Sequence, residues 1–221
     1  MVDVRLHQIP HSPFCLPISQ ALTALGIPFE PVNVSNGNRE ALINLTGGNG
    51  YEVPVLEHQG RVIYETSADS QDVAQYVDAT FANGRLFPTR WAGWQALMIP
   101  YLERDVEGTT FKLTDIRYVP AIPDLVERTM VRRHKERRFG RGCLDEWSRN
   151  RDSLFATATE SLRPFDLLLE HTPYLVGDLP VYSDFLLHGI LSNLTWKSLN
   201  PMPDLPQIIA WYRRMGEFRY G

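Results

Sequence analysis

A serine, a proline and a cysteine stand close together near the start of the chain, in the run His11-Ser12-Pro13-Phe14-Cys15. Ser12 followed by Pro13 reads as the N-cap and first residue of a helix, whose free backbone amides attract negative charge. A thiolate held at such a helix end has a depressed pKa, and the serine hydroxyl could donate a hydrogen bond to a substrate's sulfur. Taken alone, the same residues describe an ordinary helix cap, the commoner use of serine there. Ser12-x-x-Cys15 also has the spacing of a dithiol redox pair whose first, attacking cysteine has become serine, leaving only Cys15 to react. A lone cysteine in the first turn of a packed helix is more often a small buried apolar residue. Pro17, lacking an amide hydrogen, is expected to delay or kink the helix start.

Three further segments carry possible chemistry. Val53-Pro54 opens a strand pattern, where proline requires an edge, a bulge or a cis bond. Asp69-Ser70 precedes a helical pattern, so Ser70 is either a plain N-cap or, with the free amides behind it, a holder for a carboxylate. Arg132-Arg133-His134-Lys135-Glu136-Arg137-Arg138 is the strongest basic run. It could grip an anion, but in a chain of net charge −4 a solvated helix face is the simpler account. The six histidines show no H-x-x-x-H or H-E-x-x-H spacing, so no metal site is expected. Trp91, Trp94, Met98 and Tyr101 fit either a substrate wall or core packing at helical spacing.

These segments are positioned by two kinds of structure. Up to about residue 82, strand and helix patterns alternate. Val2–Gln8 alternates and is β-rich, Ile18, Ala21, Leu22 and Leu25 mark a helix stopped by Gly26, and Phe29–Val34 is an edge strand marked by Pro28 and Pro31. A short helix is expected over Asn38–Leu45. Val53–Glu57 and Arg61–Glu65, separated by His58-Gln59-Gly60, predict an antiparallel hairpin, followed by a helix bearing Val73, Tyr76 and Val77. The order βαβα then ββα predicts a small mixed α/β sheet. Asn83–Thr89 reads as a linker, and beyond it apolar residues recur at spacings of three and four, predicting an all-helical remainder.

Composition sets the outer bounds. The 221 residues are 43% hydrophobic and 22% charged, as expected of a folded soluble protein. The net charge offers no global attraction to nucleic acid or anionic lipid. Two cysteines make no disulfide framework, and no secretory leader or membrane-spanning stretch is visible, so a reducing, cytoplasmic setting is expected.

In this order the segments resemble the glutathione transferase superfamily over nearly the whole chain. Ser12-Pro13-Phe14-Cys15 looks like the first-helix motif of its serine or cysteine members, Val53-Pro54-Val55-Leu56 like its cis-proline segment, and Asp69 to Asp78 like the stretch that holds the γ-glutamyl group. Glu65-Thr66 offers an alternative register for that last motif, and Asp69-Ser70 is preferred on the spacing of Val73, Tyr76 and Asp78. Tyr174 to Asp184 resembles the superfamily's folding motif, in which the aspartate is structural. Glu136-Arg137-Arg138-Phe139-Gly140 with Pro180-x-Tyr182-x-Asp184 looks most like the bacterial and fungal branch that includes lignin β-etherases.

The resemblance implies a thioredoxin-like glutathione-binding domain over residues 1–82 and an all-helical domain over 90–221 that faces the second substrate. It implies catalysis by Ser12, with Val53, Pro54, Asp69 and Ser70 binding glutathione as co-substrate, no metal, and a homodimer without nucleic-acid or membrane partners. The expected reaction is attack of the glutathione thiolate on a hydrophobic electrophile, extending to aryl-ether cleavage. The alternatives are a glutathione-dependent thiol-disulfide oxidoreductase acting through Cys15 and a non-catalytic binder of hydrophobic ligands.

Overall fold

The computed structural model describes residues 3–67 and 70–221. Four strands form one sheet: β1 (Val4–Gln8), β2 (Glu30–Asn33), β3 (Val55–His58) and β4 (Arg61–Tyr64), in the order β2-β1-β3-β4. β1 and β2 run parallel, joined through helix α1 (Cys15–Ala24), while β3 pairs antiparallel with both β1 and β4. β2 is an edge strand, where Pro31 withholds no ladder hydrogen bond from a second neighbour. The β3–β4 turn is Gln59-Gly60, both at positive φ, the geometry that suits the twist of a two-residue hairpin. Helices α2 (Glu40–Leu45) and α3 (Asp72–Val77) complete this α/β part. Gly26, at φ +69°, terminates α1 one residue beyond its C-cap.

The rest is helical: α4 (Ala92–Tyr101), α5 (Glu107–Ala121), α6 (Leu125–Phe139), α7 (Cys143–Arg149), α8 (Arg151–Leu168), α9 (Tyr182–Leu194) and α10 (Pro206–Glu217). A wide turn over Leu102–Val106 joins α4 to α5 without a break, just after Pro100 removes one helical donor. The connection from the α/β part is pinned at Leu86, whose amide donates to Asp78 Oδ1 (2.8 Å) and whose carbonyl accepts from Tyr182 N (2.8 Å).

One core runs through both parts. It includes Leu6 and Leu56 of the sheet, Leu22 of α1, Leu102, Leu162 and Phe165, Ile190 of α9 and Trp211 of α10. The most extensive helix pairing is between α1 and α9, so the helix that carries Ser12 at its approach rests on the all-helical part. Trp94, Met98 and Tyr101 pack against this core, and Tyr101 donates to Ser161 O (2.9 Å), which assigns that aromatic run to packing. A smaller core gathers Val119, Val131, Cys143, Leu144 and Trp147 between α5, α6 and α7.

Asp184 ties the α9 end together. It is fully buried and accepts from Leu175 N (2.9 Å), Val181 N (3.0 Å) and Trp211 Nε1 (3.1 Å). Its carboxylate satisfies the Val181 amide at the start of α9, the N3-to-N-cap half of a capping box, which makes it a structural residue, as the sequence implied. Among the described residues no helix is long and apolar enough to cross a membrane.

Candidate functional site

The approach to α1 is the first element of the site. The helix begins at Cys15, three residues after Ser12, because the intervening residues make a tight turn in which Ser12 O accepts from Cys15 N (3.1 Å) and Leu16 N (3.0 Å). Pro17, in the first helical turn, lacks the donor that an earlier start would need. Ser12 Oγ accepts from Phe14 N (3.3 Å). Ser12 therefore still satisfies backbone at the helix entry, one turn earlier than a simple N-cap.

Cys15 is a poor nucleophile. It is 1% exposed, and burial pushes its thiol up to about 11 although Ser12 lowers it. His11 is buried beside it in sequence but turned away in space. Its ring lies 4.0 Å from Tyr118 and 6.0 Å from Trp196, its carbonyl accepts from Asn193 Nδ2 (2.6 Å), and burial, with Lys135 and Lys197, lowers its pKa to about 4.

A cation completes this end of the site, and no local motif announced it. Arg39 precedes α2, donates through Nη2 to Asn36 Oδ1 (3.0 Å), and has a buried Nη1 that finds no partner among the described residues. Its charge is felt by Cys15 and Tyr118, and it in turn feels Cys15, Glu52, Tyr51 and Tyr118. An unpaired buried guanidinium donor is costly unless an anion meets it.

Between these groups and the sheet, the Val53–Pro54 peptide bond is cis, as its place before β3 suggested. At the far end lies a cavity of about 270 Å³ lined by Asn49, Gly50, Tyr51, Glu52 and Tyr64–Ser67. Ser12 and Val53 lie outside its lining. The two registers weighed for the γ-glutamyl motif meet here. Ser70 Oγ donates to Glu65 Oε2 (2.6 Å) and accepts from Thr66 N (3.1 Å), so Glu65, Thr66 and Ser70 form one polar knot. Glu65 also accepts from Asp72 N (2.8 Å) and Val73 N (3.2 Å), filling the first amides of α3. Burial raises the Glu65 carboxyl against these hydrogen bonds. Asp69 lies outside the described residues. Tyr182 is buried against Phe87, and burial, with Glu103, Glu65 and Cys15, raises its hydroxyl's pKa.

The basic run on α6 is mostly a solvated face, with Arg133 paired to Glu136 and Arg132 3.6 Å from Asp145. Lys135 turns inward instead, to Asp115 Oδ2 at 2.6 Å. Among the described residues no cluster of His, Cys, Asp and Glu could hold a metal ion.

Residues 6–85 match the family described as glutathione S-transferase, N-terminal domain. That match covers the α/β part of the chain and not its helical part. A probable glutathione S-transferase of Nicotiana tabacum is 30% identical over 88 residues, 40% of this chain. The alignment spans only 38% of that relative's length. Solved structures extend the likeness to the whole fold. A glutathione transferase of Phanerochaete chrysosporium superposes with a TM-score of 0.80 at 16% identity, covering 99% of this chain and 98% of that one. A glutathione S-transferase of Ceriporiopsis subvermispora, solved in complex with glutathione, gives 0.77 at 16% identity, with 97% of each chain covered. The transferase fold, a thioredoxin-like α/β part followed by a helical part, is thus shared from end to end.

Proposed function

We propose that the protein is a glutathione transferase of the serine type. The observation that carries this reading is Arg39: a half-buried guanidinium whose buried Nη1 has no partner among the described residues, in a segment that matches the transferase family. Glutathione carries a carboxylate at each end and a thiol between them. With its glycyl carboxylate on Arg39 and its γ-glutamyl group at Glu65, Thr66 and Ser70, its sulfur falls to Ser12. The Val53 backbone, before Pro54, offers strand-like hydrogen bonds to the peptide between. Residues 1–82 hold glutathione, and residues 90–221 face the second substrate.

Ser12 donates a hydrogen bond from its hydroxyl to the glutathione sulfur, whose own proton leaves to solvent, while the helix entry adds its partial positive charge. Lowering a thiol from ~8.5 toward neutrality requires about 2 kcal/mol, within reach of these two effects together. The thiolate attacks an electrophilic carbon of a hydrophobic substrate. A C–S bond forms as the bond to the leaving group breaks, and that group departs with the bonding electrons. The proposal extends to aryl ethers as substrates on the resemblance of Ser12-Pro13-Phe14, residues 136–140 and residues 180–184 to the etherase branch.

Titration of glutathione into the purified protein at neutral pH, followed by thiolate absorbance, tests this directly. Binding with a depressed thiol pKa that rises in Ser12→Ala is the expected result. Absence of binding overturns the reading. Tight retention of apolar ligands without conjugation of any electrophile in a broad panel would mark a binding protein instead.

A further inference from the structure

The loop that presents Arg39 is held by the helical part of the chain. Glu127 is the third residue of α6, and its amide donates to the N-cap Asp124 Oδ1 (2.6 Å). In an Asp-x-x-Glu helix start the glutamate ordinarily reaches back to the N-cap amide. Here Glu127 Oε1 accepts from Ser35 Oγ (2.8 Å) and Asn36 N (2.9 Å), across the molecule in the loop between β2 and α2. Gly37 makes the approach possible, since a β-carbon there would stand 3.2 Å from Glu127 Cα. Ser35 Oγ folds the loop on itself by accepting from Gly37 N and Asn38 N, both at 3.1 Å. Asn36, fixed by this latch, accepts from Arg39 Nη2 through Oδ1 (3.0 Å).

We propose that Asn36 is a positioning residue for the glycyl carboxylate of glutathione, aiming Arg39, and that Glu127 of α6 controls it by holding the β2–α2 loop in place. Neither residue touches glutathione. The proposal rests on the glutathione-transferase reading and adds that affinity at one end of the peptide is set by a helix of the other part of the chain. Pre-organising a charged side chain in its bound rotamer removes an ordering cost from binding.

The test compares glutathione with γ-glutamylcysteine, which lacks the glycyl carboxylate, by calorimetric titration of the full chain. The wild type should bind glutathione more tightly than the dipeptide. Asn36→Ala and Glu127→Ala should weaken glutathione about tenfold and leave the dipeptide unchanged. Glu127→Gln keeps an acceptor oxygen and should retain wild-type affinity. If the alanine variants weaken both ligands equally, the role is merely structural and the proposal fails. If they weaken neither, or if the wild type does not distinguish the two ligands, it fails as well. A wild type that binds neither ligand overturns the transferase reading and this proposal together.

Discussion

Gly189 lies so close to Pro17 that a β-carbon on it would stand 2.5 Å from the proline Cδ and 3.0 Å from the Pro13 carbonyl oxygen. The closeness seats α9 directly against the turn that carries Ser12. Neither the proline ring nor the backbone carbonyl can swing aside as a long side chain would. Gly189→Ala is therefore expected to lower stability by about 1–3 kcal/mol, the usual range for overpacking, measured by urea denaturation. It should also weaken glutathione binding by displacing Ser12. A variant as stable as the wild type would show that α1 is free to shift.

Asp184 makes no ion pair among the described residues, and burial pushes its carboxyl up to about 6 although three N–H groups donate to it and Arg214 lowers it. Asp184→Ala leaves those donors unpaired and should cost about 3 kcal/mol or more. Asp184→Asn keeps one acceptor oxygen and should fall between the two. Thermal unfolding ranks the three proteins, and equal midpoints would contradict the capping role.

Cys15 and Cys143 are both buried free thiols. The native protein should label slowly with a thiol reagent at pH 8, and release two equivalents only when unfolded. Cys15→Ala should still bind glutathione and depress its thiol pKa, because Cys15 is buried and burial keeps its thiol protonated, leaving the chemistry to Ser12. Loss of all glutathione chemistry in this variant, with Ser12→Ala unaffected, would instead establish an oxidoreductase acting through Cys15.

His188 stacks on Tyr212 at 4.4 Å, and burial lowers its pKa from 6.5 to about 4. Because the folded value is the lower one, protons bind the unfolded chain first as pH falls. The stability tied to a neutral His188 is intact above about 6.5 and is lost between 6.5 and 4, to the extent of about 3 kcal/mol. Glu107, pushed up to about 7 by burial, runs the other way, its contribution fading as pH rises from 4.5. The difference between wild type and His188→Gln isolates the histidine. That gap should shrink by about 2–3 kcal/mol between pH 7 and pH 4, and parallel stability curves would refute it.

What was legible in the sequence was what local chemistry decides. Gly60 announced the hairpin turn, Pro31 the edge strand, Gly26 the end of α1, and Asp184 a structural anchor before α9. Pro17 signalled a disturbed helix start, although Ser12-Pro13 alone put it two residues too early. The choice between Glu65-Thr66 and Asp69-Ser70 could not be made by spacing, because a loop folds Ser70 back onto Glu65 and makes neighbours of residues five apart. Arg39 and Tyr118 were invisible for a different reason. Each is an unremarked residue in its own helix or loop, and acquires a role only when α6 meets the β2–α2 loop.

The core described above crosses the family boundary near residue 85, and so do two hydrogen bonds, Gln20 Nε2 to Met215 O (2.8 Å) and Tyr220 N to Ala24 O (2.8 Å). The limit of the family match is then not a limit of cooperativity. Cut at residue 85, the first segment would expose the face of α1 that α9 covers, and the chain as a whole should melt in one transition rather than two.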